Sequence, residues 1–114
     1  MSAAAEGLKE LRQQAANLSR AIPETMGAFQ SLMKSASRDG ALSAKAKELM
    51  AMAIGIATSC EGCVLFHVDN ARKHGASREE VAEAISVAVE MGGGPATVYG
   101  GKALAAFDEL AGAR

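Results

Sequence analysis

Residues 48–67, ELMAMAIGIATSCEGCVLFH, hold both cysteines of the chain, Cys60 and Cys63, and one of its two histidines, His67. A carboxylate, Glu48, heads the apolar run. Cys60, Cys63 and His67 are spaced i, i+3, i+7, so on a 3.6-residue helix they share one stripe, with His67 one turn beyond Cys63. Two thiols with a base on the same face form a redox or nucleophilic arrangement. The flanking sequence reads as a helical scaffold for it.

Working outward, residues 3–20 carry Leu8, Leu11, Ala15 and Leu18 at helical spacing. Pro23 suits a first helical position, with Glu24 in the favourable first turn. Met26, Phe29, Leu32 or Met33, and Ala36 continue a second helix towards a stop at Gly40. Ser43 caps a third helix, whose buried face is predicted to hold Leu49, Met50, Ala53, Ile54 and Ala57. Thr58 and Glu61 form a T-x-x-E pattern, predicting a capping box for the cysteine-bearing helix. That helix should end at His74-Gly75, with His74 as a capping residue. Ser77 and Glu80 repeat the box for a fifth helix with Val81, Ala84, Ile85, Ala88 and Val89 inward. After Gly92-Gly93-Gly94-Pro95, a sixth helix from about 96 to 110 offers Val98, Leu104 or Ala105, Phe107 and Leu110. Gly100-Gly101 inside it predicts a kink or a close helix contact. No strand-like alternation persists, so the expected fold is all-α, about six helices in a single domain over residues 1–114. The ends, Met1–Ala5 and Gly112–Arg114, are expected to fray.

Composition narrows the function. A net charge of −1, with no basic block, argues against nucleic acid and anionic membrane as partners. Charges and glycines interrupt every apolar segment before it could span a bilayer. The start, MSAAAEGLKEL, lacks a secretory signal, so a cytoplasmic location is expected. Two cysteines in a reducing compartment are more often catalytic or metal-binding than structural. Hydrophobic residues make up 49% of the chain but aromatics only 4%. So few large side chains bury little area, and an oligomer would supply the missing burial.

The thiolate is the reactive form of cysteine, and the first turn of a helix favours an anion. His67, four residues after Cys63, is within reach to take its proton, which makes Cys63 the candidate nucleophile. Cys60, nearer the helix start, is expected to be the more exposed thiol and to resolve the reaction. Glu61 beside it opposes ionisation of Cys60. If the third and fourth helices form an antiparallel hairpin, Glu48 folds back to orient the imidazole. Competing readings are two inert buried thiols, a metal site built from Cys60, Cys63, His67 and Glu48, a satisfied structural His67, and a solvated Glu48. The glycines at 92–94 fail the dinucleotide pattern because position 97 is Thr. Tyr99 could donate to a substrate, but nothing in the sequence brings it near the thiols.

The pattern Glu48-x11-Cys60-x2-Cys63-x3-His67, with IPETMGAF, GALSAKAKELMAMAI, CEGCVLFHVDNARKHGAS and EEVAEAISVAVEMGGGP around it, resembles the carboxymuconolactone decarboxylase superfamily, in its alkylhydroperoxidase-D-like branch. The resemblance implies a mostly six-helix subunit forming homotrimers or homohexamers. It implies an antioxidant oxidoreductase that reduces hydrogen peroxide or organic hydroperoxides without haem, flavin, metal or other cofactor. By position, Cys63 would meet the peroxide, Cys60 would close the redox-active disulfide, and His67 with Glu48 would relay the proton. A dithiol partner, thioredoxin-like or lipoyl-bearing, would restore the thiols. The branch's best-known members carry a histidine directly before the second cysteine, where this chain has Gly62. The alternatives are a protein disulfide reductase and a non-enzymatic redox-sensing module that use the same pair.

Overall fold

The computed structural model describes residues 1–112. Among these there are six helices and no strand: α1 (Ala3–Ala21), α2 (Pro23–Ser37), α3 (Ala44–Ala57), α4 (Glu61–Lys73), α5 (Arg78–Gly92) and α6 (Gly94–Leu110). Local chemistry sets most of their ends. Ser43 Oγ accepts the Ala46 N–H at the start of α3, and Ser77 with Glu80 closes the expected capping box at α5. His74 caps α4, its Nδ1 2.8 Å from the Asn70 carbonyl. α2 stops at Ser37, three residues before Gly40, because Arg38 already turns to extended backbone. The junction between α5 and α6 is the single residue Gly93, whose φ of +71° suits glycine.

α3 is central, packed along α4 and α5 and touching α2 and α6, while α1 lies across α4 and α6. The core is built from Met52, Ile56, Val64, Val68, Val81 and Phe107, with alanines between them. Fully burying each large apolar side chain contributes about 1.5–3 kcal/mol. Ala96, Gly100 and Ala103 let α6 close onto its neighbours. A Cβ on Gly100 would lie 2.7 Å from Ile85 Cγ2, so the glycine pair marks a close helix contact and no kink is needed.

Three expectations are corrected. The buried face of α3 is Glu48, Met52, Gly55 and Ile56, whereas Met50 and Ile54 are exposed, Ile54 by 64%. Both faces of α3 are apolar, so periodicity alone could not choose between them; the neighbours select the face carrying Glu48. On α6, Val98 points outward and the small residues point in. The N-terminus does not fray from Ala3 onward: Ala4 is buried and its N–H donates to Glu109 Oε1 at 2.8 Å. Residues 113 and 114 lie outside the described residues. α2 buries none of its own residues, and Phe29 and Leu32 on it are exposed.

Candidate functional site

The site forms where α3 ends and α4 begins. Three residues, 58–60, reverse the chain between the two helices, and Ser59 takes a left-handed conformation at φ +58° to do so. Such a conformation in a non-glycine residue is unfavourable, and the surrounding structure must hold it. Cys60 N–H donates to the Gly55 carbonyl at 2.9 Å, which ties the turn back to α3. The T-x-x-E box does not form. Thr58 stays with α3, its hydroxyl donating to the Ile54 carbonyl at 2.9 Å, and Glu61 reaches across to Lys102 at 3.1 Å. Cys60 itself is the N-cap of α4, its sulfur accepting the Cys63 N–H at 3.2 Å.

Cys60 and Cys63 are joined as a disulfide with their Cα atoms 5.2 Å apart. Cys63 is exposed and Cys60 half-buried, the reverse of the expected order. The reason is the turn: the Gly55 carbonyl draws Cys60 back over the helix end, and Cys63, one turn on, faces out. Gly55 permits this docking, since a Cβ there would sit 3.2 Å from Cys63 Cβ and 3.4 Å from the Val64 nitrogen.

Glu48 and His67 meet as the hairpin geometry requires. Glu48 Oε1 lies 2.7 Å from His67 Nδ1, nineteen residues away in the chain. Glu48 is only 5% exposed, and the His67 side chain 24%. A carboxylate accepts only, so Nδ1 carries the proton in this pair when the imidazole is neutral. Nε2 is left as the basic nitrogen. The Phe66 ring stands edge-on to the imidazole with centroids 5.0 Å apart. Among the described residues no hydrogen bond joins His67 to either sulfur, and the two groups are related by one turn of α4. Among those residues, too, no group of three or more His, Cys, Asp or Glu could hold a metal ion, and no helix is long and apolar enough to cross a membrane.

On its other side α4 faces α1. Asp69, buried at 2%, takes ion pairs from Arg12 at 3.2 Å, Arg72 at 2.8 Å and Lys73 at 3.1 Å. Burial pushes the Asp69 carboxyl up, but hydrogen bonds and charge from Arg72 and Lys73 outweigh it and hold the carboxyl below its ordinary value. Between α1, α4 and α6 lies a cavity of about 530 Å³ whose wall includes Gly62 and Tyr99. Tyr99 thereby shares a cavity wall with Glu61 and Gly62, the residues that separate the two cysteines, an arrangement with no counterpart in the sequence pattern. The roles of Gly55 and Ser59 likewise lie outside that pattern. A glycine inside the run MAMAIGIA was the available signal for the first; Ser59 carries none.

The comparisons with known proteins agree with this architecture. The carboxymuconolactone decarboxylase family matches residues 23–109. An uncharacterised protein of Cupriavidus necator is 48% identical over 103 residues, covering 90% of this chain and 91% of its own. A second, encoded in the cox locus of Paracoccus denitrificans, is 44% identical over 95 residues, with coverages of 83% and 86%. Among solved structures, a carboxymuconolactone decarboxylase family protein of Legionella pneumophila superposes with a TM-score of 0.89 at 43% identity, covering 94% of this chain and 96% of that one. A Thermotoga maritima member, for which involvement in an antioxidative response has been suggested, gives 0.74 at 26% identity, with coverages of 87% and 91%. With six helices in this arrangement among its described residues and the family's match over most of its length, the chain belongs to the carboxymuconolactone decarboxylase family.

Proposed function

We propose that this protein is a thiol-dependent peroxidase of the alkylhydroperoxidase-D-like branch, acting in the cytoplasm on hydrogen peroxide or organic hydroperoxides. The observation that carries the reading is the disulfide on one end of α4 with a half-buried imidazole, oriented by a buried carboxylate, one turn away. In the reduced enzyme, Cys63 thiolate attacks a peroxide oxygen. The O–O bond breaks, Cys63 becomes a sulfenic acid, and the leaving alkoxide or hydroxide takes a proton from the His67 imidazolium. Glu48 stabilises that imidazolium and fixes the tautomer of the neutral ring. Cys60 then attacks the Cys63 sulfur, water leaves, and the disulfide described above forms. A thioredoxin-like or lipoyl-bearing dithiol supplies the two electrons that reopen it.

A homotrimer or homohexamer is part of the same proposal. It is supported by α2, which buries no residue of its own and exposes Phe29 by 51%. The exposed position of Cys63 also favours a second reading, reduction of protein disulfides, since a macromolecular disulfide needs such access.

Peroxide consumption measured in parallel with a thioredoxin-type and a lipoyl-type reductant tests the proposal. Cys63→Ser should abolish turnover. Cys60→Ser should complete one turnover and accumulate a sulfenic acid that a 1,3-dione probe captures. If both variants consume peroxide at the wild-type rate, the peroxidase reading is wrong. Faster reduction of a model protein disulfide than of peroxide would favour the reductase, and stoichiometric oxidation without turnover a redox sensor.

A further inference from the structure

We propose that the cavity between α1, α4 and α6 binds an amphiphilic amine, its apolar body lying between the three helices and its ammonium at the carboxylates of the rim. The inference goes beyond the thiol chemistry above and does not depend on it. The cavity exists because small residues face one another there. α1 seats on α4 at two glycines: a Cβ on Gly7 would lie 2.9 Å from Leu65 Cδ2, and one on Gly62 3.2 Å from Leu11 Cδ1. Beyond those contacts α1 offers Ala3 and Ala4, and α6 offers Ala105 and Ala106, whose methyl groups are too short to fill the gap. The Glu109 carboxylate, accepting the Ala4 N–H at 2.8 Å, ties α6 to α1 across it. The space left, about 530 Å³ with a mainly apolar wall, falls within the range of about 300–1,000 Å³ found for small-molecule sites.

The rim selects the ligand's charge. Three carboxylates, Glu10, Glu61 and Glu109, stand there against one ammonium, Lys102, an excess of two negative charges. Lys102 is already committed: its Nζ lies 3.1 Å from Glu61 Oε2 and 5.5 Å from the centre of the Tyr99 ring. The wall thus holds one cation of its own between a carboxylate and an aromatic face, the chemistry by which proteins recognise ammonium ligands. Glu109 has spent one oxygen on Ala4. Among the described residues, the Glu10 carboxylate and the Tyr99 hydroxyl have no hydrogen-bond or ion-pair partner. The excess charge would repel an amphiphile that carries a carboxylate. A neutral amphiphile would cover Glu10 without pairing it, which is unfavourable. A protonated amine fills the apolar space and supplies the missing counter-charge.

Octylamine, octanol and octanoate share one tail and differ in charge; at pH 7 the amine is protonated as a lysine side chain is. Their binding to the full-length protein is measured by calorimetry, below the concentrations at which they form micelles, and located by amide NMR. Octylamine should bind saturably at a single site and about fivefold or more tighter than octanol, as expected for an ion pair at the edge of solvent, with octanoate weakest. The amide signals of Gly7 and Gly62 should shift, and that of Gly75, beyond the far end of α4, should not. Glu10→Gln should bring the amine-to-alcohol ratio towards one, and Ala105→Phe, which fills the space, should remove binding of both. Glu10 is exposed and has no partner to lose, so its variant decides the matter even where Ala105→Phe fails to fold. Five results each overturn the inference: no saturable binding, equal affinity for amine and alcohol, tighter binding of octanoate, an amine preference untouched by Glu10→Gln, or shifts at Gly75 in place of Gly7 and Gly62.

Discussion

Replacing Glu48 by Gln changes one charge in a buried position while keeping the side chain's shape. The carboxylate oxygen lies 2.7 Å from His67 Nδ1, and the Glu48 side chain is 7% exposed, so water does little to screen the pair. A hydrogen bond to a charged group contributes about 1.5–3 kcal/mol, which corresponds to about 10- to 150-fold in a rate that depends on it. The amide adds a second effect. Its NH2 can donate to Nδ1, which would place the ring proton on Nε2 and leave no basic nitrogen for the thiol. Glu48→Gln should therefore slow reaction of reduced protein with peroxide, in single-turnover stopped flow, by about 10- to 150-fold. The midpoint of the pH–rate profile for Cys63 alkylation should move to higher pH, because the imidazolium that supports the thiolate is weakened. A near-native melting temperature would show that the fold is intact. An unchanged peroxide rate together with an unchanged alkylation profile would remove Glu48 from the mechanism, whatever the geometry suggests.

The scaffold makes two further predictions. Gly100→Ala places a methyl group 2.7 Å from Ile85 Cγ2 and should cost about 1–3 kcal/mol in thermal or urea unfolding, whereas Gly101→Ala, which meets open space, should be neutral or slightly stabilising; equal effects would contradict the close α5–α6 contact. Asp69 is held below its ordinary value of 3.8, so its stabilising contribution is complete above about pH 4 and fades as pH falls through the lowered folded value. Asp69→Asn should accordingly lower stability at neutral pH by about 1–2 kcal/mol, after screening of the exposed ends of Arg12 and Lys73, and should flatten acid denaturation below pH 4. Identical acid-unfolding curves for the two proteins would refute it.

Much of this architecture is legible in residues that act locally. Ser43, the Ser77–Glu80 box, His74 and Pro23 mark helix ends because each meets backbone groups within a few positions of itself. The Glu48–His67 pair was legible only by supposing an antiparallel hairpin, which the three-residue turn supplies. What the residues could not reveal was set by neighbours distant in sequence. The inward face of α3 depends on α4 and α5, since its apolar residues run all round. Thr58 could cap either of two helices, and the left-handed Ser59 between them awards it to the first. The relative exposure of Cys60 and Cys63 follows from the same turn, through a carbonyl five residues before Cys60.

Leu11 bears on the residue between the two thiols. A Cβ built on Gly62 would stand 3.2 Å from Leu11 Cδ1, so the first helix forms a lid over that position. A methyl group there asks only that one leucine tip give way. The room beside the two thiols is thus set partly by where α1 seats the tip of Leu11, at the rim of the cavity that Gly62 also lines.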